Sequence, residues 1–137
     1  LNFDVSTSKF NVAQSPAETY TIKENFDFIF TSPPFFTYEI YETNNINQSI
    51  TNFNSIDLWL NNFLFVTIDK AWEKLSPKGH YVLYIEDKGY DFIDKLLAYM
   101  RKKQGSFYKG IIYQIFAVPH FKNPNIFHTV YVWQKGI

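Results

Sequence analysis

Phe26-Asp27-Phe28-Ile29-Phe30-Thr31-Ser32-Pro33-Pro34-Phe35-Phe36 is the stretch on which the fold turns. Its first six residues are almost wholly apolar and aromatic. That is the pattern of a strand buried on both faces of a parallel sheet. Pro33 and Pro34 end the strand, because neither can donate a hydrogen bond to a ladder. A buried strand therefore runs out into a serine, two prolines and two aromatic rings.

Downstream, residues 36–54 read as a long polar and aromatic loop, about 19 residues, which exceeds an ordinary connection and points to a functional or self-ordered segment. Ser55 is a good N-cap. From it Ile56, Leu60, Phe63, Leu64, Ile68, Ala71, Trp72 and Leu75 recur at helical spacing, up to a turn at Ser76-Pro77-Lys78-Gly79. His80 to Ile85 is a second apolar strand, ending in Glu86-Asp87. A second helix is predicted over 91–103, with Phe92, Ile93, Leu96, Leu97 and Met100 as its apolar stripe. Arg101-Lys102-Lys103 suit its C-terminal dipole and Gly105 stops it. Two strands, 108–118 and 126–134, close the chain and are expected to pair antiparallel across a Pro-containing loop. Upstream, 9–14 reads as a short strand stopped by Ser15-Pro16.

The predicted order is β, β, α, β, α, β, β. Such alternation indicates an α/β sheet with right-handed crossovers. Ligands in open α/β sheets bind outside the carboxyl ends of the strands. Two such ends carry unusual chemistry: Thr31-Ser32-Pro33-Pro34-Phe35 and Glu86-Asp87.

Composition narrows the function. At 137 residues the chain is the size of one domain, and 46% apolar with 19% charged residues is globular. Thirteen basic residues balance thirteen acidic ones, which argues against a strongly basic nucleic-acid binder. Without cysteine there is no disulfide scaffold, Cys-based zinc site or cysteine nucleophile. His80, His120 and His128 lack ligand spacing, so no metal site is expected. Trp59, Trp72 and Trp133 fall on elements expected to pack. The aromatic share of 20% fits an AT-rich coding sequence as well as a ligand site. No secretory leader and no apolar run of about 20 residues is visible, so a soluble intracellular protein, cytoplasmic or nuclear and not membrane-bound or secreted, is expected.

The Ser-Pro-Pro-Phe stretch resembles the catalytic motif of amino-methyltransferases. These S-adenosylmethionine-dependent enzymes methylate exocyclic amines of nucleobases. Their Asp/Asn/Ser-Pro-Pro-aromatic motif ends the fourth strand of a Rossmann-like sheet, after an aromatic-Asp-apolar-Ile/Val pattern that Phe26-Asp27-Phe28-Ile29 matches. The Thr-Ser-Pro-Pro-Phe form is most similar to DNA cytosine-N4 methyltransferases; adenine-N6 enzymes more often have Asp at the position of Ser32. Ser15-Pro16-Ala17-Glu18 is similar to the segment after the third strand, near the cofactor adenine. Leu75-Ser76-Pro77-Lys78-Gly79 is similar to the Leu-x-Pro-Gly-Gly turn before the fifth strand, with Lys78 in place of the first Gly.

The resemblance implies a class I methyltransferase sheet, mostly parallel with a C-terminal antiparallel hairpin, as a single partial catalytic domain over 1–137. Its N-terminal βαβ unit is expected to be missing or truncated, since no glycine precedes Gly79 and the family's Phe-x-Gly-x-Gly cofactor loop is absent. The implied cofactor is S-adenosylmethionine, and the implied partner is DNA presenting a flipped base, with a homo- or hetero-oligomer left open. Ser32, Pro33, Pro34 and Phe35 are the implied catalytic residues. Asp4, Glu18 and Thr31 are candidates for the cofactor, and Phe36, Glu39 and Tyr41 for the substrate. Tyr38 is a further candidate for gripping a base. Two alternatives stay open: a non-catalytic methyltransferase-like subunit that binds nucleic acid or completes an interface, and a methyltransferase acting on RNA or a protein amine.

The residue types have a physical rationale of their own. An exocyclic amine is a poor nucleophile because its lone pair is delocalised into the ring. Two acceptors that bind both amine hydrogens favour a pyramidal nitrogen and free that pair. The Ser32 hydroxyl and the Pro33 carbonyl are suited to this, on a backbone stiffened by two prolines. An aromatic side chain beside them can stack on a base taken out of its duplex.

Overall fold

The fold is that of a computed structural model in which residues 13–38, 40, 48–103, 105–115 and 127–137 are described. The apolar run forms β1 (Phe26–Thr31), which stops before Ser32 as its prolines require. The predicted loop that follows contains one helical turn, α1 (Ser49–Asn52). Ser55 caps α2 (Ile56–Trp59), its hydroxyl oxygen accepting from the Leu58 N–H at 3.3 Å. Helical structure continues through a π-helical turn, Leu60–Leu64, into α3 (Phe65–Lys74). Strand β2 (Leu75–Tyr84), helix α4 (Ile93–Arg101) and the strands β3 (Ser106–Ile115) and β4 (Phe127–Lys135) complete the order. Of the strand expected over 9–14, Ala13 and Gln14 are not in a strand, and 9–12 lie outside the described residues.

The strands form one sheet in the order β1-β2-β4-β3. β1 pairs with β2 in parallel, and β4 is antiparallel to both β2 and β3. The sheet is mixed α/β, as expected, but mostly parallel pairing is not found. One described pair is parallel and two are antiparallel. The cause is the position of the last strand. β4 returns by the predicted hairpin but inserts between β2 and β3, so β1, β2 and β3 all point one way around one inverted strand.

Side chains alternate across β2. Tyr81 and Leu83 join Tyr131 and Trp133 of β4 in the core, against Trp59, Leu60, Leu64, Ile68 and Trp72 of the first helical run and Leu96 and Met100 of α4. The three tryptophans pack as expected, at 0%, 7% and 2% exposure for Trp59, Trp72 and Trp133. Phe65 stacks on Tyr99 at 3.9 Å between ring centroids, and Tyr99 and Lys103 both bond Asp69, which ties α3 to α4. The Lys135 ammonium donates to the carbonyls of Trp72 and Leu75 at 2.8 and 2.7 Å, neutralising the C-terminal end of α3.

Two local features differ from the sequence reading. Ser76-Pro77-Lys78-Gly79 is not a turn outside the sheet but an irregularity within β2. The register jumps from Phe26↔Leu75 to Phe28↔His80, and Lys78 takes a left-handed backbone, φ 65°. Gly79 sits so close to β1 that a Cβ there would lie 2.9 Å from the Asp27 carbonyl oxygen, which explains a glycine at this position. The second difference is β1 itself. It is the sheet's edge among the described residues and is not buried on both faces: Phe28 is 61% exposed and Phe30 56%. Ile29, pointing the other way, packs against the core.

Candidate active site

β1 and β2 are parallel neighbours with Thr31 opposite Leu83, so their carboxyl ends lie side by side. The two segments singled out in the sequence, 31–38 and 84–90, therefore meet at one end of the sheet, where open α/β sheets bind ligands. Ser32 is exposed, Pro33 is buried and Pro34 half-buried, so the turn is anchored by its prolines and presents its serine outward. Thr31 is half-buried at the strand end.

Phe35 and Phe36 are both 4% exposed. Phe35 sits edge-on to Tyr84 at 5.2 Å between centroids. Phe36 has a left-handed φ of 52°, and its ring is wedged between Tyr90 (4.9 Å, edge-to-face) and Trp59 (5.9 Å). A non-glycine residue keeps such a backbone only when its surroundings over-determine it, and the Tyr90 and Trp59 rings do so here. The Tyr38 N–H donates to the Phe35 carbonyl at 3.1 Å, closing a turn that returns Tyr38 to the site. Tyr38 itself is 62% exposed. The Thr37 hydroxyl bonds the Tyr90 hydroxyl, and the Lys88 ammonium stands 4.6 Å over the Tyr38 ring.

The facing segment is organised by Asp87. One carboxylate oxygen accepts from the Gly89 and Tyr90 N–H groups at 3.0 and 2.7 Å, and the other accepts from the Phe92 N–H. Partial burial pushes this carboxyl up, but the N–H groups of Tyr90, Phe92, Asp91 and Gly89 outweigh it and hold its pKa below the ordinary value. Asp87 thus shapes the loop into α4. Glu86 accepts from the Tyr84 hydroxyl at 3.2 Å and pairs with Lys88. Thr37, Tyr84, Lys88 and Tyr90 frame the site, and the sequence marked them only by their nearness to Ser-Pro-Pro and Glu-Asp.

A groove of about 630 Å³ runs along β1 toward this site. Ala13, Ser15, Ala17, Phe28, Phe30 and Thr31 are among the residues that line it. Glu24, Thr67 and Lys70 also line it, so the lining is mixed polar and apolar, and its size suits a nucleoside-sized group. Thr31 lies on it, whereas Glu18 stands in the turn beside Ala17 and does not line it. That turn is held by the Thr19 and Tyr20 N–H groups on the Pro16 carbonyl. Asp4, Glu39 and Tyr41 lie outside the described residues. A second cleft of about 610 Å³ opens at the other end of the sheet, beside Pro77, Gly105 and Lys135, away from these groups. No group of three or more His, Asp or Glu that could hold a metal occurs among the described residues, nor any helix long and apolar enough to cross a membrane.

No protein-family model matches the chain, and no curated protein does. A solved structure does: N-methyltransferase NodS from Bradyrhizobium japonicum WM9 superposes with a TM-score of 0.52 at 9% identity. The match covers 91% of this chain and 59% of that one, so the chain spans under two thirds of the structure whose fold it shares. Over the matched region the chain shares the fold of that structure.

Proposed function

We propose that the chain transfers a methyl group to an exocyclic amine of a DNA base, cytosine N4 first and adenine N6 second. The observation that carries this reading is the exposed Ser32 on a turn clamped by buried Pro33 and Phe35, at the paired carboxyl ends of β1 and β2. The Ser32 hydroxyl oxygen and the Pro33 carbonyl accept the two amine hydrogens and draw the nitrogen toward a pyramidal geometry. Phe35 and Phe36, held by Tyr84 and Tyr90, keep these acceptors fixed, and acceptors that need not reorganise stabilise the transition state best. A nitrogen becomes acidic as it is alkylated, so no strong general base is required.

The groove along β1 is where S-adenosylmethionine fits, between Ser15, Ala17 and Thr31. Bound there, the cofactor would supply a methyl group on a sulfonium sulfur. The chain's own part is to exclude water with the apolar side chains of the groove, Phe28 and Phe30 among them, and to orient the amine at Ser32. Ser32→Ala tests this: methyl transfer should fall about 100- to 1,000-fold, the range for losing one preorganised group, with an unchanged unfolding midpoint. Unchanged methyl transfer by Ser32→Ala would remove the amine-binding role.

One observation favours a second reading. None of the described residues that line the groove is glycine, so no glycine among them lets backbone approach a cofactor closely. The chain would then serve as a methyltransferase-like subunit that binds nucleic acid beside an active partner. Calorimetry with S-adenosylmethionine separates the two: heat of binding supports the enzyme, and none from a folded chain supports the subunit. Nucleoside mass spectrometry on RNA as well as DNA separates a DNA enzyme from one acting on RNA.

A further inference from the structure

We propose that Tyr38, and neither Phe35 nor Phe36, is the ring on which the acceptor base stacks, and that Lys88 covers this ring while the site is empty. The inference rests on the reading of Ser32 and Pro33 as the amine-binding pair. At 4% exposure, Phe35 and Phe36 offer an incoming base almost no ring surface, and each is engaged by a tyrosine from the facing segment. Their place is in the core, anchoring the turn. Tyr38 is 62% exposed and one hydrogen-bonded turn beyond Phe35. Its neighbour Thr37 is fastened to Tyr90, so Tyr38 is carried on a fixed support although its own ring is open.

The ring already holds a ligand-like group. The Lys88 ammonium lies 4.6 Å over its face and also pairs with Glu86. A cation over an exposed ring is held less strongly than a stacked base, so a base entering the site displaces Lys88. The displaced ammonium remains tethered beside the ring, where the phosphates of an incoming strand would arrive. A neutral chain needs such a local cation, because its overall charge of zero provides no attraction for a polyanion. The ligand this pair selects is therefore a planar base on a phosphate backbone.

The test is fluorescence anisotropy of a labelled single-stranded cytosine-containing oligonucleotide, titrated with the full chain at several salt concentrations. A single strand needs no base pair opened. Tyr38→Ala should weaken binding about 5- to 150-fold, the range for losing one base stack, while Tyr38→Phe binds within about twofold of wild type because it keeps the ring. Lys88→Ala should lower the slope of log affinity against log salt by about one. Thermal midpoints of all three should match wild type, since both side chains are largely outside the core. A wild type that binds, with Tyr38→Ala binding equally well, overturns this inference and leaves the Ser32 reading standing. A wild type that binds no oligonucleotide at any salt overturns the nucleic-acid reading and this inference with it.

Discussion

Replacing Asp87 with asparagine should loosen the site from its second side. The carboxylate accepts from the Gly89 and Tyr90 N–H groups on one oxygen and from the Phe92 N–H on the other. Asparagine has one acceptor oxygen. The Phe92 N–H would then face an amide donor, and leaving a buried donor unmade costs about 1–3 kcal/mol. The two retained bonds lose their charge, about 1 kcal/mol each. The loop is partly solvated, so the sum is discounted to about 2–3 kcal/mol. For a domain of this size that is a fall in Tm of about 8–12 °C. The pH dependence carries a sign of its own. The folded carboxyl titrates below its unfolded value, so its stabilisation is full above the unfolded pKa and is lost as pH falls through the folded one. Wild type should lose this contribution below about pH 4, and Asp87→Asn should lack that part of the acid limb. Thermal unfolding followed by circular dichroism from pH 2 to 7 reads both quantities. Equal midpoints at pH 7 and superimposable acid limbs would refute the assignment of Asp87 as the organiser of this loop. Because the loop holds Tyr90, which grips Thr37 and Phe36, the variant should also bind oligonucleotide less well.

The remaining predictions concern the frame around the site. Tyr81 is fully buried and its hydroxyl has no hydrogen-bond partner among the described residues; Tyr81→Phe should therefore leave stability unchanged or raise it by about 1 kcal/mol in urea unfolding, and a loss of that size would reveal a bond the hydroxyl makes. Leu83→Ala in the core should cost about 2–5 kcal/mol, whereas Phe28→Ala on the open face of β1 should cost no more than about 0.5 kcal/mol; comparable losses from both would contradict β1 as an exposed edge. Gly79→Ala should destabilise by about 1–3 kcal/mol by pushing β2 from β1, and an unchanged urea midpoint would contradict that close approach.

Periodicity carried much of the architecture. The apolar spacing from Ile56 to Trp72 reads as one helical run, and it is one, although no spacing rule announces the π-helical turn at Leu60–Leu64. The final hairpin was legible as an antiparallel pair but not in its place, because insertion of β4 between β2 and β3 depends on pairing across the chain. β1 shows the limit most plainly. An apolar run looks the same whether or not other elements cover its two faces, and Phe28 and Phe30 are exposed because the face of β1 to which they point is left open. Pro77 and Gly79 read as a turn, yet they lie within β2 where the register slips past β1. At the site, chemistry was legible and exposure was not. Phe35, Phe36 and Tyr38 are equivalent as aromatic candidates in sequence. What distinguishes them is contact with Tyr84 and Tyr90, the latter bonded to Thr37 across 53 residues.

The central claim is that Ser32 and Pro33 present an exocyclic amine for methylation. The most direct measurement incubates the chain with DNA and S-adenosylmethionine carrying a deuterated methyl group, digests the DNA to nucleosides and weighs them. The account predicts deuteromethyl label on N4 of deoxycytidine, or on N6 of deoxyadenosine, with the label lost in Ser32→Ala. Unlabelled nucleosides from a chain that binds the cofactor, or label on a ring carbon, would contradict it.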